Sequence, residues 1–268
     1  MASVRFALLL LAATGCGLVY TTRERAEPDA GAVVGDRDGS SAAADASSSY
    51  RDAVRGDAPV VYLRFGEASG AVARDEMGRG EGRYGGGTTL GIAGALLRDE
   101  DTAVALDGTS PIQMPGVFDF AGSAPFSVEV WARTDGAIGA YTFLVDHERY
   151  DPRGGWDLLV GDDGVFFERW AGGDNGASAA GPALARGAWH HVVGTFDGVV
   201  QRLYIDGAEV VAVAGPAKLP VIDGGWSIGR QSCDCSGGRF VGGIDELAIY
   251  DRPLTVAQIA AHLRAAGR

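Results

Sequence analysis

The sequence predicts an all-β sandwich of two antiparallel sheets with a short C-terminal helix. Three observations carry that expectation. Phe126 to Arg133 reads FSVEVWAR, so Phe126, Val128, Val130 and Ala132 share a face; period two is the mark of a strand with one face on a core. Asp197-Gly198 and Asp206-Gly207 stand between apolar runs, where hairpins need positive φ. No amphipathic stretch between the strands has the length of a parallel crossover helix, which argues against a doubly wound α/β fold.

The elements follow in order. Val60-Val61-Tyr62-Leu63-Arg64-Phe65 opens the folded part. Turn-rich segments then separate most of the strands: Phe126–Arg133, Thr142–His147, Trp156–Val160, Val165–Trp170, Trp189–Phe196, Val200–Ile205, Glu209–Val213, Trp226–Gly229 and Val241–Ile249. The two Asp-Gly turns make Trp189 to Val213 a three-stranded meander. About 12 to 14 strands are expected in a sandwich of this length. Pro253 stops the last strand. Thr255 caps the closing helix, with Gln258 three positions on in a capping-box relation. Ile259 and Leu263 share the helix's apolar face. A helix this short needs a surface to dock on.

The first 57 residues read as address and tether. Arg5 precedes a short apolar run, Phe6 to Ala13, too short for a permanent span but suited to an export signal. Thr14, Gly15 and Cys16 resemble a bacterial lipobox, which implies a signal peptide over 1–15 and a diacylglyceryl group on Cys16. The motif usually has Leu where this chain has Ala13. Residues 16–57 are rich in Ala, Gly, Ser, Asp, Glu and Arg, too poor in apolar surface to repay ordering, and are expected to form a flexible stalk. The domain is expected over 58–268. Gly17, not Asp, follows the cysteine, which points away from inner-membrane retention and toward the outer membrane of a Gram-negative envelope. Net charge is -12, and the basic patch a nucleic-acid partner would need is missing.

VYLRFGEASGAVARDEMGRGEGRY, PFSVEVWAR, AWHHVVGTFDGVVQRLYIDGAEV, WSIGR and FVGGIDELAIYDRPLTVAQIAAH resemble, block by block, the laminin-G-like jelly rolls of the concanavalin A-like lectin and glucanase superfamily. The resemblance spans roughly residues 58 to 266. It implies two curved sheets, a monomeric carbohydrate-binding or protein-adhesion module, and a structural calcium ion. Calcium would be held at Asp245, with Asp107 as partner and Asp75 within reach if the first strands fold back. Odd positions of Val241–Ile249 are Val, Gly, Asp, Leu and Ile, so Asp245 is expected on the apolar face, where an anion must be paired or metal-bound. A bend at Gly242-Gly243 that turns Asp245 outward, or a pair with Arg252, would serve equally.

Other residues carry chemistry more loosely. Trp156, Trp170 and Tyr141 fall in the middle strands and their loops, where exposed rings stack on sugars. Arg149, Asp151, Arg153, Asp157 and Asp174 would add hydrogen bonds. The expected ligand site is the concave surface near Trp156 and Trp170, with Arg149 and Asp157 as polar contacts. Trp131, Trp189 and Trp226 are expected to pack the core. His190 and His191 face opposite ways and read as packing. His147-Glu148 lacks the rest of a zinc-protease motif. Cys233 and Cys235 leave three readings open: a small disulfide ring, free or intermolecular thiols, or a two-ligand metal clip. Glu129 is alone in its strand, and Asp245 and Glu246, being consecutive, should face opposite sides. Neither arrangement brackets a glycosidic bond, so a hydrolase is the least favoured function. A module binding carbohydrate or glycoprotein comes first, and an envelope adhesion or scaffold module second.

Overall fold

The structure is a computed structural model, and it describes residues 49–136, 139–216, 218–222, 224–231 and 238–268. Helix α1 (Tyr50–Gly56) comes first. Strands β1 (Val61–Leu63), β2 (Val72–Ala73), β3 (Gly82–Arg83), β4 (Thr88–Ala93), β5 (Thr102–Asp107), β6 (Ile112–Met114) and β7 (Phe126–Thr134) follow. Then come β8 (Thr142–Tyr150), β9 (Arg153–Val160), β10 (Val165–Trp170), β11 (Gly176–Gly181), β12 (His190–Phe196), β13 (Val200–Ile205), β14 (Ala208–Ala214), β15 (Trp226–Ile228) and β16 (Val241–Tyr250). Helix α2 (Val256–Ala265) closes the order. The described strands exceed the 12 to 14 expected because several have only two or three residues, too few to show a period.

The strands form two antiparallel sheets. One runs β14-β13-β12-β7-β16-β5-β4, with β1 also on β16; the other runs β11-β10-β9-β8-β15-β6-β3-β2. The inward faces meet in one apolar core that includes Phe126, Val128, Val130, Trp156, Leu158, Phe167, Trp226 and Ile244. The expected meander is present as β12, β13 and β14. Its Asp206-Gly207 turn has positive φ at both residues, 50° and 81°, the geometry that Asp and Gly tolerate.

A third layer covers the other face of the first sheet. Helices α1 and α2 pack there with Tyr50, Val54, Tyr62, Trp131, Tyr250, Leu254 and Ile259. The predicted Thr255–Gln258 capping box is formed. The expected domain start at residue 58 is too late. Tyr50 and Val54, assigned to the stalk, are fully buried, and Ser49 caps α1 by accepting from the Asp52 amide. Two apolar side chains at i and i+4 in an otherwise polar stretch suffice once a sheet face is there to receive them.

That layer is pinned through Glu129 on β7. Its carboxylate accepts from the Tyr50 hydroxyl at 2.7 Å and the Tyr250 hydroxyl at 2.9 Å. His191 Nε2 lies at 2.9 Å and His262 Nδ1 at 3.0 Å. His262 reaches on to Asp57 through Nε2 at 3.0 Å. Burial opposes charge on Glu129, but His262 and the hydrogen bonds from both histidines outweigh it and hold the acid well below its usual range. Burial likewise works against a charged His262, yet Glu129 and Asp57 push it up to about 9. The lone acid of β7 thus ties two helices to the sheet, and His191 belongs to that tie.

Strand β16 is the hinge of the topology. One edge pairs with β7 throughout; the other pairs first with β5 (Val241 to Ile244) and then with β1 (Leu247 to Ile249). Where the partner changes, the β7 register slips between Asp245 and Ala248. Glu246 there has φ 50°. The slip inverts the alternation: Ile244, Leu247 and Ile249 all point into the inter-sheet core, while Ala248 and Tyr250 point to the helices. Simple period two placed Asp245 with Leu247 and Ile249, and Glu246 opposite to it. The bulge instead puts both acids on the helix side.

Candidate functional site

The outer face of the second sheet carries a row of polar residues set by register. Arg83, Gln113, Ser227, Asp146, Asp157, Glu168 and Ser178 pair in sequence across seven strands. Their strand neighbours Trp226, Ile228, Trp156, Leu158, Val165 and Phe167 point inward, so the polar set points outward.

Beside that row lies a depression of about 480 Å³, lined by Tyr141, Phe143, Arg153, Leu159, Glu168, Trp170, Gln231 and Gly238. Phe143 and Leu159 are cross-strand neighbours and give it an apolar floor, with Phe166 next to Leu159 on the adjoining strand. Tyr141 is 54 % exposed and its ring sits 5.2 Å from that of Phe166. Trp170 lies opposite Gly176, where a Cβ would collide with the indole; glycine lets the ring lie down on the strand. The guanidinium of Arg153 covers the other indole face at 3.3 Å, within cation–π range. Trp170 Nε1 donates to Glu168 at 3.2 Å. Arg153 is also bonded to Glu148 and lies 3.4 Å from Glu168.

The expected ligand residues divide. Trp170 lines the groove. Trp156 does not: it is 1 % exposed and packs against Phe126, Phe118 and Phe120. The parity of β9, set by the Asp146↔Asp157 pair, sends it inward. Asp157 faces outward but is fully buried beneath the groove wall. Arg149 bonds the Pro152 carbonyl at 3.2 Å in an exposed turn and is absent from the groove lining. Tyr141 and Arg153 take the places expected of Trp156 and Arg149. Trp131 and Trp226 are buried as expected; Trp189 is partly buried under Arg133, 5.1 Å from its ring.

Sequence reading named Asp157 but missed that it clusters with two further acids under the groove. Asp146, Glu148 and Asp157 bring carboxylate oxygens within 4.8 Å of one another, all buried. Asp-x-Glu at Asp146 and Glu148 is the alternation that puts two acids on one strand face, and was the available signal. Burial pushes Asp157 well above the usual carboxylate range, and Glu148 adds to the effect. Glycoside hydrolysis needs two carboxyl groups about 5 to 9.5 Å apart and open to substrate. The three carboxyl groups of this cluster are buried.

The calcium pair implied by resemblance does not form. Asp107 is opposite Val241 in register, four residues from Asp245, or about 13 Å along the strand. Asp107 is exposed and accepts from Thr109 at 2.8 and 2.7 Å. Asp75 accepts four backbone N–H groups, from Tyr62, Met77, Arg79 and Gly80. Asp245 accepts from the Ala95 amide at 2.8 Å. The cation beside it is Arg64, whose guanidinium lies 2.8 Å from Asp99 and Asp101 and 3.0 Å from Glu246. Burial raises Asp245, and Glu246 rises to about 8, mainly by burial, with Arg64 pulling the other way. Cys16, Cys233 and Cys235 lie outside the described residues.

With this geometry in place, a family model described as the concanavalin A-like lectin/glucanases superfamily matches residues 106–260. The chain belongs to that superfamily, as a laminin-G-like jelly roll. No curated protein matches it. Among solved structures, domain 4 of the extracellular arabinanase AbnA of Geobacillus stearothermophilus, in complex with arabinotriose, is similar. It shares 20 % identity at TM-score 0.55, over 76 % of this chain and 98 % of that one. The binding domain of botulinum neurotoxin serotype D shares 14 % identity at TM-score 0.59, covering 79 % and 52 %. Trypanosoma rangeli sialidase shares 11 % at TM-score 0.57, covering 76 % and 32 %. The chain thus spans about half of the toxin domain and a third of the sialidase. At these identities the likenesses establish the fold.

Proposed function

We propose that the protein is a non-catalytic, monomeric binding module that takes a carbohydrate, free or on a glycoprotein, in the groove of the second sheet. The observation that carries this reading is the pairing of an exposed ring, Tyr141, with a half-buried one, Trp170, around Arg153, Glu168 and Gln231. Sugar rings offer apolar C–H faces to aromatic side chains and hydroxyls to charged and amide groups. The arabinotriose complex of the similar arabinanase domain supports this class of ligand. A net charge of -12 disfavours strongly anionic polymers at low salt. The lipobox-like segment ending at Cys16 supports a lipid anchor in a Gram-negative cell envelope, with the domain presented outside the cytoplasm.

A glycan array followed by calorimetric titration tests the reading. Tyr141→Ala and Trp170→Ala should each weaken binding at least tenfold with little change in melting temperature. If no glycan binds at millimolar concentration while an envelope protein is captured, the module is an adhesion or scaffold domain instead.

A further inference from the structure

The acid cluster beneath the groove gathers carboxyl groups from three neighbouring strands in a buried place. Asp146 and Asp157 face each other across β8 and β9, and Asp157 also faces Glu168 on β10. Glu148 lies two residues along from Asp146. Asp146 accepts from the Tyr150 hydroxyl at 2.7 Å, and Glu148 is bound by Arg153. Asp157 is 0 % exposed and neither of its oxygens has an N–H or hydroxyl donor; the polar group against it is another acid, Glu148. The Arg153 guanidinium is shared between Glu148 and Glu168. A buried anion without a donor is costly unless it is neutralised or bound to a cation.

We propose that Asp146, Glu148 and Asp157 form a divalent-cation site of the calcium class, placed under the wall of the groove. The donor set is hard oxygen throughout, which suits calcium, magnesium or manganese and not the thiolate- or imidazole-seeking metals. Size favours calcium. Ligand oxygens at 2.3–2.6 Å from an ion span about 5 Å across its sphere, and the three carboxylates present oxygens within 4.8 Å of one another. Magnesium demands a tighter and more regular shell. Three acids give a partial shell, which backbone oxygens and water complete. Asp157 then gains a directly bound partner of opposite charge.

The position gives the ion a task. Glu148 holds Arg153, and Arg153 lies on Trp170. An ion on Glu148 fixes the side chain that sets the guanidinium against the indole. Cation binding would thereby stiffen one wall of the groove. The site does not depend on what the groove binds, and its test uses no sugar.

The experiment is a thermal melt of the chelator-treated protein with and without millimolar calcium chloride, together with metal analysis after dialysis. The parent should hold about one calcium per chain, and its midpoint should rise by about 5 °C or more. Magnesium should do less. Asp157→Asn should lose the calcium response while staying folded, because the substitution removes a repulsive charge and keeps the shape. Intrinsic fluorescence should change on calcium addition in the parent and not in Asp157→Asn. The proposal is overturned if the parent binds no calcium, magnesium or manganese and Asp157→Asn is the more stable protein. That outcome would mean the cluster is neutralised by a shared proton.

Discussion

The Tyr50 hydroxyl donates to Glu129 Oε1 at 2.7 Å and accepts from Trp131 Nε1 at 3.1 Å. Two residues some eighty positions apart thus join a seven-residue helix to a central strand of the first sheet.

Removing that helix should be felt throughout the domain. A chain starting at residue 58 should melt well below one starting at residue 45. Tyr50→Phe alone should cost about 1–3 kcal/mol, the usual range when a buried polar group loses its partner. Urea denaturation checks both. Equal midpoints for the two chain lengths would return residues 50–56 to the tether.

Stability should fall as pH rises from near neutrality. His262 has its pKa raised to about 9 in the folded protein, against about 6.5 unfolded. Its contribution is therefore full below about 6.5 and lost as pH climbs through 9. Glu246, raised to about 8, acts in the same direction, because the folded state binds its proton more tightly than the unfolded chain. Denaturation measured between pH 6 and 9.5 should show the decline, and His262→Gln should flatten its upper half.

Arg64→Met should destabilise the protein by about 3–5 kcal/mol near pH 9, above the raised pKa of Glu246, the cost of leaving a buried acid without its partner. The loss should shrink toward neutral pH and below, where Glu246 carries its proton. A loss that does not vary with pH would mean that packing of the Arg64 stem is what matters.

Trp156→Ala should cost about 3–5 kcal/mol, as expected for a large ring removed from a packed core. Trp170→Ala should cost much less. Parallel melts of the two variants separate the core tryptophan from the groove tryptophan.

If Cys16 carries the proposed lipid anchor, Cys16→Ser should release the protein from membranes or leave it unprocessed. Fractionation and electrophoretic migration identical to the parent would remove the lipid anchor from the account.

The jelly roll was legible because its evidence is local: alternation in Phe126 to Arg133, the two Asp-Gly turns, and the Thr255–Gln258 box each declare themselves within a few residues. The site was less so. Whether Trp156 or Asp157 faces out depends on the Asp146↔Asp157 register, which joins strands and cannot be counted along one. The bulge at Glu246 defeated a parity argument that was correct for an unbroken strand. Asp107 and Asp245 were paired by resemblance, but the β5–β16 register sets them apart. Asp146 and Glu148 were visible as Asp-x-Glu; only the neighbouring Asp157 makes them a cluster.

The split edge of β16 has a kinetic meaning. The strand at the centre of the first sheet is the last strand in chain order, and β7, β5 and β1 all wait for it. Pairings across such sequence distances are slow to form. Until residues 241–250 are available, β7 and β5 each expose an unpaired edge, the condition in which chains mispair. The interval before the last strand docks is therefore the one in which the chain most needs protection from its neighbours.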